Sequence, residues 1–154
     1  MIRIAATVRI DKPIEEVFDY ILDFENAAEW QTGVVKSLKV SDGPVGVGTR
    51  FEEDVRMVAR KVRAVCVISG VEPGESVSFV ATSAPIDYQG EFLFERDGAG
   101  TQVKIVASAE MKGAWKLLGP LFALDARSGA RKELGRIKTA LEGRPARSAV
   151  TLKA

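Results

Sequence analysis

The stretch DGPVGVGTRF, residues 42–51, separates two kinds of protein. A glycine-rich turn that opens a helix cradles phosphate, because the first backbone amides of the helix point at the anion. A dinucleotide fingerprint therefore needs a strand, then G-x-G-x-x-G, then a helix. Here Gly46-Val47-Gly48 is followed by Thr49-Arg50-Phe51, so the third glycine is missing, and the chain runs on into the alternating segment TRFEEDVRMV (49–58). No lysine–serine pair of a phosphate-binding loop follows. The stretch reads as a turn that feeds a strand. Gly43 and Pro44 reverse the chain, and Gly46 and Gly48 allow positive φ or close packing before Thr49.

Working outward, the N-terminal segment alternates: Ile2, Ile4, Ala6, Val8 and Ile10 share one side, with Arg3, Thr7 and Arg9 on the other, the period of a half-buried strand. Asp11-Lys12-Pro13 stops it, and Pro13 suits the first turn of a helix carrying Ile14, Val17, Phe18 and Ile21 at helical spacing. Asp23 suits the cap of a second short helix that runs to about Trp30. Six strands are predicted beyond it, at 34–40, 49–58, 61–71, 76–84, 87–96 and 101–111. Turns at Asp42-Gly43-Pro44, Glu72-Pro73-Gly74, Ala84-Pro85 and Asp97-Gly98-Ala99-Gly100 join them. Short turns between successive strands make an antiparallel meander.

A short turn at 114–118 precedes a long helix from Gly119-Pro120 to a C-terminal cap at Gly143. Its stripe of Phe122, Ala126, Ala130, Leu134, Ile137 and Leu141 is apolar, while Arg127, Arg131, Lys132, Arg136 and Lys138 mark the polar side. Residues 1–143 make one α+β domain, and 144–154 read as a tail. The simplest arrangement lays the helix on the concave face of a curved antiparallel sheet.

Composition removes whole classes of chemistry. There is no histidine in the 154 residues and one cysteine, so Ser-His-Asp and Cys-His relays, histidine-rich zinc sites and disulfide frameworks are excluded within this chain. No metal and no cofactor is expected. Acid–base work would fall to carboxylates, Tyr, Lys, Cys66 or water. A formal net charge of +1 gives no field that points to nucleic acid. The first residues alternate and lack the apolar core of a signal peptide, and AVCVISGV (64–71) is too short to span a bilayer, so a cytoplasmic protein is expected. The basic face of the last helix reads first as solvated surface. Contact with anionic lipid, interrupted by Asp125 and Glu133, would be transient at most.

Three segments, PIEEVFDYILDFENAAEW (13–30), GPVGVGTRF (43–51) and GPLFALDARSGARKELGRIKTALEG (119–143), resemble the SRPBCC or START-like superfamily, and within it the polyketide cyclase/dehydrase and lipid-transport group of small bacterial proteins. The resemblance spans nearly the whole chain in the same element order. It implies a helix-grip fold: seven antiparallel strands wrapped around the long C-terminal helix, with a hydrophobic cavity between. It also implies a small hydrophobic ligand (lipid, isoprenoid or polyketide-like) as partner, and a monomer or weak homodimer. The alternatives are a cyclase or dehydratase acting on a polyketide-like chain, and a ligand-free interaction module. Aromatic cyclases of this superfamily use polar pocket residues, histidine among them, which this chain lacks.

Strand parity then names candidate cavity residues. Outward Arg50, Glu52, Asp54 and Arg56 turn Phe51, Glu53, Val55 and Met57 inward; outward Lys61 and Arg63 do the same for Ala64, Cys66 and Ile68. Phe79 and Ala81 share a face, as do Tyr88 and Phe92. Trp30, Trp115, Leu118 and Phe122 are placed to close one end. Small residues (Ala64, Ala81, Gly90, Ala107) among rings either leave volume unfilled or interdigitate. Glu53, on a face with Phe51 and Val55, either sits at an open strand end or pairs with an arginine, or it is a polar anchor or general base inside an apolar pocket. Tyr88 is either an interfacial core tyrosine or the hydrogen-bond donor beside it. Cys66 reads as an inert buried thiol.

Overall fold

The computed structural model describes residues 2–57, 60–83 and 86–144, except the side chains at 57, 60, 83, 118, 119 and 121–125. The elements run β1 (Ile2–Ile10), α1 (Ile14–Leu22), a 3-10 turn (Phe24–Asn26), α2 (Ala27–Trp30), β2 (Val34–Lys39), β3 (Arg50–Met57), β4 (Arg60–Glu72), β5 (Ser76–Ser83), β6 (Ile86–Asp97), β7 (Gly100–Met111), a second 3-10 segment (Gly113–Leu118) and α3 (Gly119–Glu142). All seven strands form one curved antiparallel sheet in the order β1-β7-β6-β5-β4-β3-β2. β2 to β7 is the predicted meander, and β1 returns to pair with β7 from Ile2↔Ala109 to Ile10↔Thr101.

The glycine stretch is a turn. Gly43 and Gly48 have φ of 86° and 89°, the left-handed region that glycine enters without a Cβ clash. The Gly48 N–H donates to Ile68 O (2.8 Å), and the Gly46 N–H to Thr49 Oγ1 (2.8 Å), which steers the chain into β3. Gly46 itself is not in the positive-φ region. Pro13 stands one residue earlier than expected, as the N-cap of α1; Glu15 and Glu16 in the first turn complement the helix dipole. Asp23 accepts from the Glu25 N–H (3.1 Å), so it caps a 3-10 turn that leads into α2. Gly143 closes α3 through its N–H to Thr139 O (3.1 Å). The tail at 145–154 lies outside the described residues. Arg144 is tied down, 3.3 Å from Glu29 and with its guanidinium 4.7 Å from the centre of the Tyr20 ring.

The core divides in two. Under β3, β4 and β5 it is solid: Phe24, carried in by the 3-10 turn, packs on Phe51 (5.7 Å between centres), Phe79 (5.2 Å) and Trp30 (6.5 Å). Toward β1 and β7, the second half of α3 buries Ala130, Leu134, Ile137 and Leu141. Polar contacts hold this half at both sides. Lys138 Nζ donates to Arg9 O (2.9 Å) and the Asp11 N–H to Glu142 Oε2 (2.8 Å) on one side; Arg136 Nη1 donates to Thr32 Oγ1 (3.1 Å) on the other.

Candidate functional site

Where the first half of α3 crosses the sheet, small faces small. Ala126, Gly129 and Ala130 on the helix line the same space as Ala107 and Ala109 on β7. Interiors reach crystal-like density only when large side chains fill such a gap, and among the described residues none does here. The result is a cavity of about 300 Å³, walled also by Ile2, Ile4, Ile86, Ile105, Met111, Phe79 and Trp30. Its polar wall is Gln31, Thr32, Tyr88 and Glu133.

The polar wall is built from three elements. Gln31 and Thr32 follow the C-terminus of α2, whose last turn closes with the Gln31 N–H on Ala27 O (2.8 Å). Gln31 Nε2 donates to Tyr88 Oη (2.6 Å), which fixes the phenol and leaves its own O–H to donate elsewhere. The Thr32 N–H donates to Glu133 Oε1 (3.2 Å), which ties α3 to the α2–β2 connection at the pocket. Burial pushes the Glu133 carboxyl up to about 7, against the hydrogen bonds from Thr32 and the Arg136 guanidinium, which lower it. Burial, with the nearby Glu53 charge, holds the Tyr88 phenol well above its ordinary range, so it stays neutral and able to donate. Among the described residues, no group of three His, Cys, Asp or Glu side chains is spaced to hold a metal ion.

Of the residues expected from the sequence, the structure brings Trp30, Phe79 and Tyr88 to the pocket wall. Phe79 and Tyr88 meet edge to face at 5.8 Å, and Trp30 meets Phe92 in the same manner at 5.7 Å. Phe51, Cys66, Ala81 and Phe92 are buried, but in the solid half of the core behind that wall. Val55 packs half-buried against the same cluster. Phe24 occupies the space that strand parity alone left open for a ligand. Gly90, expected to leave volume, is covered by the Phe79 ring: a Cβ there would lie 2.7 Å from Phe79 Cζ. Trp115 is 38% exposed and does not line the pocket. The side chains of Met57, Leu118 and Phe122 lie outside the described residues.

Glu53 is 1% exposed, and neither carboxylate oxygen makes a hydrogen bond. It is neither at an open strand end nor paired with an arginine. Its cross-strand neighbours are Ala64 and Ser37, and the Ser37 hydroxyl is buried without a hydrogen-bond partner as well. Burial raises the Glu53 carboxyl to about 7, with Ser37 easing the rise slightly. The same burial, with Glu53 adding to it, pushes the Cys66 thiol up, away from the reactive thiolate. Glu53 does not line the pocket; it acts on it only through its field at Tyr88.

Sequence reasoning missed Gln31, Thr32 and Glu133, of which Glu133 carries the charge. By charge alone it reads as an interruption of the basic face of α3, yet it lies on the inner edge. The signal was its spacing, seven residues after Ala126 and three after Ala130, which puts it on their side of the helix.

Comparison with known proteins agrees with the architecture. Residues 1–142 match the family model described as polyketide cyclase / dehydrase and lipid transport. Among solved structures, the TTHA0849 protein of Thermus thermophilus superposes with a TM-score of 0.72 at 20% identity, over 89% of this chain and 94% of that one. A START superfamily protein from Mycobacterium smegmatis gives 0.72 at 16% identity, over 94% and 97%. The Zhui aromatase/cyclase from Streptomyces sp. R1128 gives 0.62 at 16%, over 90% and 87%. No curated protein matches the sequence. At these identities the structural matches speak to the fold alone, and the family rests on the sequence model that covers almost the whole chain. A seven-stranded antiparallel sheet gripping a C-terminal helix, with this match from residue 1 to 142, makes the chain a member of the polyketide cyclase/dehydrase and lipid-transport family.

Proposed function

We propose that the chain binds a small, largely apolar molecule in the pocket between α3 and the sheet. The observation that carries this reading is the cavity of about 300 Å³ between two small-residue faces, at the low end of the volumes that ligand sites occupy. The family description, which includes lipid transport, supports the same class of ligand. Gly129 adds a further argument. A glycine in mid-helix costs about 1 kcal/mol relative to alanine, and here a Cβ would meet no described atom within 4 Å. The helix thus carries a destabilising residue at the pocket wall, where a Cβ would meet open space.

The test is Gly129→Leu, with the neutral fluorophore N-phenyl-1-naphthylamine as probe. Wild type should enhance its emission saturably. The variant should lose that binding while its urea midpoint rises. Unchanged binding in Gly129→Leu would remove the ligand from this pocket. Native mass spectrometry of gently extracted protein should also show a copurified small molecule in wild type and not in the variant.

A second reading, a cyclase or dehydratase, is favoured by one observation: the Glu133 carboxyl, raised to about 7, shares the pocket wall with the neutral Tyr88 phenol. A group that titrates near neutrality exchanges protons efficiently. Under this reading Glu133→Gln removes turnover of a polyketide-like substrate and leaves its binding nearly intact. Loss of binding alone favours the carrier.

A further inference from the structure

The polar groups of the pocket restrict the kind of molecule it accepts, and this inference rests on the ligand-binding reading above. Among the described residues that line the cavity there is no Lys or Arg, and the ionisable side chains are Glu133 and Tyr88. Arg136, whose charge Glu133 feels, is spent on Thr32 Oγ1 at 3.1 Å and Trp30 O at 3.5 Å and is not part of the wall. A fatty-acid or other carboxylate head would enter an apolar chamber with no counter-ion, facing a carboxylate. Like charges brought together in a desolvated site repel strongly.

The same two side chains suit a hydroxyl. Tyr88 Oη already accepts from Gln31 Nε2 at 2.6 Å, so its proton points to another acceptor. Glu133 takes the Thr32 N–H on Oε1 at 3.2 Å, and its two oxygens, with about four lone-pair sites between them, keep acceptor capacity for a ligand. A hydroxyl is donor and acceptor at once, so it can receive from the phenol and give to the carboxylate. Tyr88 and Glu133 line the same cavity, and the Glu133 charge reaches the phenol.

We propose that the pocket selects a compact, uncharged hydrophobic molecule that ends in a hydroxyl, held between Tyr88 Oη and Glu133, and rejects the carboxylate of the same skeleton.

Three probes share one ring system: 2-naphthylmethanol, 2-naphthoate and 2-methylnaphthalene. Their affinities are measured by calorimetry with wild type, Glu133→Gln and Tyr88→Phe at about pH 8.5, where the Glu133 carboxyl is ionised. The alcohol should bind wild type about tenfold or more tighter than the naphthoate, and tighter than the methyl compound. Glu133→Gln keeps an oxygen for Thr32 and loses the charge, so the handicap of the naphthoate should shrink to about threefold or less. Tyr88→Phe should bring the alcohol down to the level of the methyl compound. Naphthoate binding wild type as tightly as the alcohol overturns the inference and leaves the pocket reading standing. The same result follows if the preference persists unchanged in Glu133→Gln. If none of the three binds, the pocket reading itself fails, and the selectivity with it.

Discussion

Replacing Glu53 with glutamine should make this protein more stable above neutral pH and leave it almost unchanged in mild acid. Glu53 is 1% exposed, with both oxygens unpartnered. Its carboxyl titrates near 7 in the folded chain against 4.5 in the open chain. Between these values the folded state keeps a proton that the unfolded state has lost. Stability therefore falls as pH rises through the window. The group is neutral in both states below about pH 4.5, and its full penalty is present above about pH 7. A gap of this size corresponds to at most about 3 kcal/mol at pH 8. Glutamine has nearly the same shape and cannot ionise. The buried amide is left as poorly partnered as the protonated acid, so the polar cost largely cancels and the charge term remains.

Urea denaturation from about pH 5 to pH 8.5 measures this directly. Wild type should lose stability across the range, and Glu53→Gln should lose about half as much, because Glu133, also near 7, still titrates in the same sense. The double variant Glu53→Gln/Glu133→Gln should be nearly flat. Glu15, held low first by a backbone hydrogen bond and then by Arg96, and Glu142, held low by Lys138 and then by the Asp11 N–H, act in the opposite sense and only in more acid solution. A pH slope in Glu53→Gln that parallels wild type would refute the reasoning, as would a wild type whose stability climbs from pH 5 to 8.

Three other perturbations separate the parts of the structure. Gly90→Ala sets a Cβ 2.7 Å from Phe79 Cζ and 3.3 Å from the Ala107 Cβ, so the Phe79 ring, part of the pocket wall, must shift; urea denaturation should show a loss of about 1–3 kcal/mol, and naphthylamine binding should weaken with it. Gly48→Ala places a side chain at a φ of 89° with open space around it, so only backbone strain is felt, about 1–2 kcal/mol in the same assay, with ligand binding unchanged. Arg144→Ala removes an ion pair to Glu29 whose partners are about half exposed; thermal unfolding should register less than about 1 kcal/mol.

Much of the fold was legible because periodicity is a local property. The alternation of β1 and the polar flanks of β3 and β4 gave their inward faces without any tertiary information, and Phe51, Glu53, Ala64 and Cys66 are buried as their parity required. Turn chemistry placed the turns at Gly43, Gly74 and Gly98, all at positive φ, while the turn expected at Ala84-Pro85 lies outside the described residues; Asp23 and Gly143 marked helix ends within a residue or so. The candidate site was legible only in part. Parity assigns a side chain to a face; it does not say what covers that face. Phe24 fills the space over Phe51 and Phe79, so Phe51 and Phe92 lie in solid core, while Trp30, Phe79 and Tyr88 reach the cavity.

Local pattern, then, determined the elements, their order and the apolar side of each, and the absence of histidine bounded the chemistry. Tertiary structure decided where the hollow lies, that Glu53 is sealed behind the wall, and that Glu133 is part of it. The reason is that a cavity is a deficit in packing between elements distant in the chain, here Ala107 and Ala109 on β7 with Ala126, Gly129 and Ala130 on α3, and no segment read alone records the size of the residues that will face it.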